Sequence, residues 1–257
     1  YKRQTISRLE SKPVFVSDLT IDKFYFGKDT VGNIAIKVNN EKENTYAADV
    51  SITENGNNVR LLGEYISPPD GKSTFQATLD LKPLKMKTVE AFSLGYLQNT
   101  EGNLEGTLNI SGTTANPSIK GDLVFQDARL NITMLNADFY MDDQTISFND
   151  QGLAFKEFNI KDKRGNTARI NGSILTKDYT DFDFNLNLNT NDFTVVNSTR
   201  EDNDLFYGKL FVTSNLRIRG DMHKPVVDGN IKANDKTDFV FIVPNDNPGM
   251  VQRDGVV

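Results

Sequence analysis

The clearest pattern in the chain is a strict alternation of apolar and polar residues. Across residues 182–188, Phe182, Phe184, Leu186 and Leu188 alternate with two asparagines and an aspartate. Because successive side chains of a β-strand point to opposite faces, this segment predicts a strand with one apolar and one polar face. The same alternation recurs in residues 34–38, 50–52, 75–81, 108–110, 123–125, 146–148, 210–212, 216–218 and 239–243.

Turn-forming sequences separate these segments. They are rich in Asn, Asp, Gly and Pro, the residues that tolerate turn conformations, and lie at 54–57, 68–71, 116–117, 149–152, 164–166 and 245–249. The pattern indicates about fourteen strands, more than an open twisted sheet usually holds without curling. We therefore predict an all-β fold, an elongated and curled antiparallel sheet.

Two places depart from the alternation. The apolar parity changes at Lys156–Glu157, which predicts a β-bulge there. Residues 84–97 instead place Met86, Val89, Phe92 and Tyr96 at helical spacing directly after a proline, which predicts one short amphipathic helix. We expect this helix to cover an edge or plug an end of the sheet.

The chain also repeats itself. The pattern Leu-x-Ile-x-Gly, then Pro and Gly-x-apolar, occurs from Leu108 to Leu123 and again from Leu216 to Ile231. We interpret Gly112, Pro117 and Gly121, and likewise Gly220, Pro225 and Gly229, as structural turn residues that end one strand and open the next. The repeated units are residues 102–131 and 208–236, which suggests stacked modules with a shared apolar surface.

The expected organisation is a strand segment over 1–83, followed by a helix and the repeated modules over 84–257. We expect one continuous β-structure. Because the chain opens at Tyr1 without a signal sequence, we also expect it to be an internal piece of a longer protein.

Composition narrows the possible functions. The formal net charge is −6 and no basic stripe with interleaved aromatics is present, so nucleic acid is not an expected partner. Cysteine is absent, which excludes disulfides, thiolate nucleophiles and Cys-based zinc sites. No stretch approaches the ~20 apolar residues that a membrane-spanning helix needs.

Candidate catalytic and metal-binding residues are sparse. His223 is the single histidine, so we interpret it as a solvated turn residue. The acidic clusters Asp142–Asp143, 201–204 and Asp246–Asn247 lack the spacing of a calcium loop and are interpreted as solvated loops. Two carboxylates could meet as a glycosidase pair, but the chain lacks the Trp that sugar platforms favour. We predict no enzyme activity, no metal site and no cofactor.

At the repeated modules the sequence resembles the TamB family of bacterial envelope proteins, whose relatives include the AsmA-like proteins. The motif begins at residues 102–113, Gly-Asn-Leu-Glu-Gly-Thr-Leu-Asn-Ile-Ser-Gly-Thr, and continues through Pro117 and Gly121 to the strand that reaches Phe125. Residues 206–220, Pro225, Gly229 and 239–244 look like the approach to that family's C-terminal conserved region. The resemblance covers about residues 84–244, and the first third of the chain matches only in strand style.

The resemblance implies an open β-groove, or β-taco, with an apolar inner trough. It implies a periplasmic location between an inner-membrane anchor and the outer membrane. The implied partners are phospholipid acyl chains and an outer-membrane barrel protein of the TamA/BamA type, and the implied roles are phospholipid transport and outer-membrane protein assembly.

The predicted lining of the groove consists of the apolar residues at alternating strand positions. They are Phe75, Leu79, Leu81, Leu108, Ile110, Leu123, Phe125, Ile146, Phe148, Phe182, Phe184, Leu186, Leu188, Leu210, Val212, Leu216, Ile218, Phe239 and Phe241. Periodicity alone favours a packed core over a lipid groove, because both produce the same pattern. The remaining alternatives are a chaperone that pairs its sheet edge with outer-membrane strands, and an adhesin or glycan-binding β-sandwich.

Overall fold

The computed structural model describes residues 2–7 and 13–243, and its strands all belong to one antiparallel sheet. The all-β prediction is therefore confirmed. The strands are β1 Lys2–Ser7, β2 Val14–Phe26, β3 Asp29–Asn39, β4 Thr45–Glu54, β5 Asn57–Ile66, β6 Thr74–Lys85, β7 Leu97–Thr113, β8 Asn116–Ile132, β9 Ala137–Met141, β10 Gln144–Asn149, β11 Gly152–Asp162, β12 Thr167–Leu175, β13 Asp183–Ser198, β14 Phe206–Asp221, β15 Val226–Ala233 and β16 Asp238–Phe241.

The sixteen strands form fourteen rows, in chain order from β1 to β15, because two rows are each built from two strands. Both β9 and β10 pair with β8 and with β11, so they are collinear halves of one strand separated by Asp142–Asp143. Similarly, β15 and β16 both pair with β14. One of the acidic clusters seen in the sequence is thus the break inside a strand.

Strand register gathers the apolar residues on one face. The first apolar row crosses twelve strands through direct pairs and consists of Leu19, Ile36, Val50, Leu61, Leu79, Leu108, Gly121, Phe148, Leu153, Ile174, Phe184 and Gly220. The second apolar row lies two residues further along each strand and consists of Ile21, Ile34, Ile52, Val59, Leu81, Gly106, Leu123, Ile146, Phe155, Gly172, Leu186, Ile218 and Val227. At about 4.8 Å per strand, each row runs for about 50 Å or more.

The opposite face is polar. The row between the two apolar rows consists of Thr20, Ala35, Ser51, Arg60, Asp80, Thr107, Asp122, Ser147, Ala154, Ser173, Asn185 and Arg219. Arg60 bonds to Asp49 on this face, and Thr107 donates to Asp80 at 2.6 Å. The sheet thus has one apolar side and one solvated side, as the alternation predicted.

Bulges lie beside the second apolar row and bend the strands. The register shifts directly after Ile21, Leu81 and Phe155, which are all members of that row. The predicted bulge at Lys156–Glu157 is confirmed, and Glu157 has a φ of 49°. Because bulges kink and twist a strand, their alignment bends the sheet along one line parallel to the apolar rows.

The helix, α1 Met86–Phe92, is shorter than the predicted span 84–97. Leu84 still pairs with Leu104 in the β6–β7 ladder, and Leu97 already opens β7. Pro83 therefore lies in a strand, at the bulge after Leu81, where its missing N–H leaves no gap in the ladder.

Contacts of α1 show how strongly the sheet curls. At one side, the Phe92 ring packs at a tilt against Phe26 beside the start of β3, with ring centroids 4.7 Å apart. At the other, Met86 belongs to the same buried cluster as Phe158 of β11. In a flat sheet, β3 and β11 are seven rows apart, or about 34 Å. A helix is only about 10–12 Å across, so the sheet curls around α1.

Candidate functional site

The curled sheet encloses a trough lined by the two apolar rows. We call the strand ends at which α1 lies the helix side of this trough and the opposite strand ends the far side. The β-hairpins at residues 26–29, 54–57, 132–137 and 162–167 belong to the helix side, and those at 66–74, 113–116, 149–152 and 175–183 to the far side. The two sides differ in how completely the apolar face is covered.

The helix side is closed by two buried clusters. The first contains Met86, Ala128, Met141 and Phe158, which are each 5 % exposed or less. The second contains Ala137, Phe139, Ala168 and Phe193, and in it the rings of Phe139 and Phe193 stack 5.7 Å apart. These clusters form an ordinary packed core along one side of the trough.

Polar contacts hold α1 in its place. Buried Asn57 donates from Nδ2 to the Val31 carbonyl and to Thr88 Oγ1, both at 2.7 Å, and accepts from the Lys85 amide at 2.8 Å. Because Asn57 lies at the start of β5, it joins β3, β5 and the beginning of the helix. Both ends of the Asn57 amide are therefore bonded, and together they hold the start of α1 against β3 and β5.

Glu90 fastens the other end of the helix. Its Oε2 accepts from the Thr100 amide and from Thr100 Oγ1, both at 2.8 Å, while Oε1 pairs with Lys87. Burial raises the pKa of Glu90, but the bonds from Lys87 and Thr100 outweigh burial and hold the pKa below its ordinary value. Glu90 is thus ionised near neutral pH and ties α1 to β7.

A buried carboxylate closes the helix side further along, and sequence reasoning missed it. The Asp162 side chain is fully buried and accepts from the amides of Arg164, Asn166 and Thr194 and from Thr194 Oγ1, at 2.7–2.9 Å. Burial raises the pKa of Asp162, but these bonds outweigh burial and lower the pKa overall. Asp162 thereby fixes the β11–β12 turn to β13.

The far side has no such cover within the described residues. The predicted lining residues Leu81, Leu108 and Val212 are buried, and Phe241 is 62 % exposed. The other fifteen predicted lining residues are all half-buried. Every described strand belongs to the single sheet, and three of the fifteen, Phe125, Ile146 and Leu188, pack against the buried clusters of the helix side.

Register places nine of the nineteen predicted lining residues in the two apolar rows. Leu79, Leu108, Phe148 and Phe184 belong to the first row, and Leu81, Leu123, Ile146, Leu186 and Ile218 to the second. Several members were missed, although the same alternation marks them: Leu19, Ile21, Ile34, Ile36, Val50, Ile52, Val59, Leu61, Leu153, Phe155 and Ile174.

Five of the six predicted turn residues lie inside strands and not in turns. Gly112, Pro117 and Gly121 lie inside β7 and β8, Gly220 and Gly229 lie inside β14 and β15, and Pro225 alone lies in a connecting turn. The reason is local backbone geometry: a Cβ on Gly121 would lie 2.1 Å from the Thr107 carbonyl oxygen. Glycine is required where the neighbouring strand approaches this closely.

The remaining candidate residues do not form a site. His223 lies in an exposed turn, with Nδ1 3.7 Å from Asp221. Asp202, in the cluster 201–204, accepts from the Thr199 amide at 2.7 Å and so shapes its own turn. Asp246–Asn247 and the predicted turn 245–249 lie outside the described residues. Within residues 2–7 and 13–243, no group of three or more His, Cys, Asp or Glu side chains is placed to hold a metal ion, and no helix is long and apolar enough to span a membrane.

Comparison with known families gives one match. The family model of the TamB C-terminal domain matches residues 156–253, from the bulge in β11 through the second repeated module. This match supports assignment of the chain to the TamB family. Neither a curated protein nor a solved structure matches the chain. TamB is a family of transport and assembly proteins, so the match suggests involvement in envelope protein assembly and lipid transport.

Proposed function

We propose that the trough of this chain holds phospholipid acyl chains along the far side of its apolar rows. The observation that supports this is the pair of apolar rows, most of whose members are half-buried although all described strands belong to one sheet. Leaving an apolar side chain wet costs ~1.5–3 kcal/mol, and long apolar strips are uncommon on soluble proteins. Acyl chains supply the missing nonpolar contact.

The closed helix side determines how a bound acyl chain is oriented in the proposed site. Because the two buried clusters and α1 fill that side, an acyl chain lies along the first apolar row, near Leu79, Phe148 and Phe184, with its headgroup at the far-side rim. This arrangement leaves the polar headgroup in water while only the hydrocarbon is buried. The protein acts as a passive conduit and performs no chemical step.

We place the trough in the periplasm, between an inner-membrane anchor and an outer-membrane barrel partner of the TamA/BamA type. This placement rests on the match to the TamB family. Acyl chains that move along rows about 50 Å long remain shielded from water over much of that distance.

A crosslinking pair tests the proposal without destabilising the sheet. A photo-reactive phenylalanine analogue at Phe184 faces the trough, whereas the same analogue at Asn185 faces the polar side of the same strand. We expect phospholipid adducts in mass spectra of the Phe184 protein and not of the Asn185 protein. Equal labelling from both positions, or none from Phe184, would contradict the proposal.

A charge-insertion pair provides a second readout. Phe184→Asp with Leu186→Asp places two carboxylates in the trough, and Asn185→Asp with Asn187→Asp places two on the polar face beside Arg219 and Arg217. Co-purifying phospholipid should be lost only from the first protein. Thermal unfolding and circular dichroism of both proteins identify a loss that is due to misfolding.

One observation favours a second candidate function, β-augmentation of outer-membrane proteins. All eight residues of the edge strand β15 are exposed, including Val226, Val227 and Ile231, and an open edge can pair with an incoming strand. Photo-crosslinkers at Asp228 and Asn230 should then capture an unfolded barrel protein. A pure lipid conduit predicts no such adduct.

A further inference from the structure

Four exposed apolar side chains cluster beyond the end of α1. They are Phe92, Leu94, Tyr96 and Met134, which are 46 %, 77 %, 76 % and 51 % exposed. We call them the apolar tip. They come together because the turn after β8 is bonded to the loop after α1, with Thr133 Oγ1 donating to the Gly95 carbonyl at 2.7 Å and the Thr133 amide donating to the Tyr96 carbonyl at 3.0 Å.

The loop that carries the tip is held in a fixed conformation. The Tyr96 amide donates to the Ser93 carbonyl at 3.1 Å, and the Leu97 amide donates to Ser93 Oγ at 3.0 Å. Leu94 has a φ of 53°, a left-handed conformation that is rare for leucine. The backbone is therefore kept in a conformation that directs Leu94 away from the protein, instead of allowing it to collapse onto the nearby core.

We propose that the apolar tip inserts into the interfacial region of a lipid bilayer. The residue types fit this environment, because Tyr and Phe are enriched at membrane interfaces and Leu buries readily in the acyl boundary. Few charged groups lie beside the tip: Lys87 pairs with Glu90 and with Asp29, and Lys28 lines the same cavity as Leu94. The contact is therefore mainly hydrophobic.

The size of the tip favours a bilayer over a protein partner. Four partly exposed side chains offer on the order of 500 Å². A stable protein interface needs about 800 Å² on each partner, with a complementary surface at its centre. A bilayer has no such requirement, because each inserted apolar side chain adds to the partition independently.

The inference goes beyond the proposed function, because the tip lies on the helix side and contributes nothing to the lining of the trough. Bilayer contact there would keep the trough close to a membrane surface. The tip can bind vesicles whether or not the trough carries acyl chains. Membrane insertion of the tip and lipid binding in the trough can therefore be refuted independently.

The absence of Trp from the chain allows a sharp test. Leu94→Trp places a single fluorophore at the tip, and Leu62→Trp places one on the polar face, at a position that is also more than half exposed. With phosphatidylcholine vesicles, Leu94→Trp should shift its emission to the blue and be quenched by brominated acyl chains, while Leu62→Trp should do neither. Adding phosphatidylglycerol or salt should change little.

Flotation with the same vesicles measures the strength of the contact. Leu94→Ser with Tyr96→Ser should reduce vesicle binding at least about tenfold, because two inserted side chains are lost. The matched Leu62→Ser should bind like the unaltered chain. Unchanged binding of the Leu94→Ser, Tyr96→Ser protein would overturn the proposal.

Two further outcomes also decide against it. An absent spectral shift of Leu94→Trp with all vesicles means that the tip does not insert. A shift that appears without vesicles as the protein concentration rises means that a second copy covers the tip. The Phe184→Asp, Leu186→Asp protein should retain the Leu94→Trp response even though it has lost its trough lipid, which separates this test from that of the proposed function.

Discussion

Replacement of Asp162 by asparagine should destabilise the helix side of the trough strongly. In Asp162→Asn one carboxylate oxygen becomes an amide nitrogen, which faces two donors instead of accepting from them. Depending on the rotamer, the lost bonds are those from Thr194, at 2.9 and 2.7 Å, or those from the amides of Arg164 and Asn166, at 2.8 and 2.9 Å. A hydrogen bond to a charged group contributes ~1.5–3 kcal/mol, so two such losses predict about 3–6 kcal/mol.

The pH dependence follows from the lowered pKa of Asp162. Because the folded-state pKa lies below the ordinary value, the stabilisation is fully present above the unfolded pKa of ~3.9 and is lost as the pH falls through the folded pKa. The difference in unfolding free energy between the unaltered chain and Asp162→Asn should therefore be largest near pH 7 and shrink in acid.

Urea unfolding followed by circular dichroism at pH 7 and at about pH 3.5 measures both effects. Asp178→Asn is the matched control, because Asp178 Oδ1 accepts two turn amides, from Thr180 and Asp181, but lies near the surface. The control should lose much less stability. A loss below ~1 kcal/mol for Asp162→Asn at pH 7, or equal losses at both pH values, would refute the reasoning.

Two other predictions concern the trough and its helix. Gly121→Ala should lower the urea midpoint far more than Gly27→Ala. A Cβ at residue 121 would lie 2.1 Å from the Thr107 carbonyl oxygen, whereas a Cβ at residue 27 would have no atom within 4 Å. Equal midpoints of the two variants would contradict this. Met86→Ala should lower the free energy of unfolding by ~2–5 kcal/mol and increase hydrogen exchange in α1, because Met86 is 2 % exposed in a buried cluster. Lys87→Ala, on the exposed face of the helix, should leave the cluster intact.

Strand faces and one irregularity were predictable because both are local properties. The alternation in residues 182–188 requires only a period of two, and the parity change at Lys156–Glu157 is visible in neighbouring residues. The approximate number of rows followed from the spacing of turn sequences. That β9 and β10 form one row was not predictable, because it depends on the long neighbouring strands β8 and β11 each pairing with both.

The helix length depended on pairing that the sequence does not display. Residues 84–85 have helical spacing, but hydrogen bonding to β7 extends the strand and delays the helix to Met86. The role of Asp162 was hidden for the same reason, since Thr194, its principal donor, lies across two strand connections. Charged residues in turns are usually solvated, and only the packing of β13 against that turn makes this one buried.

Alternation along the strands was sufficient to establish that this chain forms a sheet with one apolar and one polar face. It was not sufficient to establish what covers the apolar face, because a packed core and a bound hydrocarbon give an apolar side chain the same relief from water. The tertiary structure determines how much of the apolar face is covered. Bulges aligned beside the second row bend the strands, and α1 with two buried clusters covers the helix side. The far side of the rows stays half-exposed.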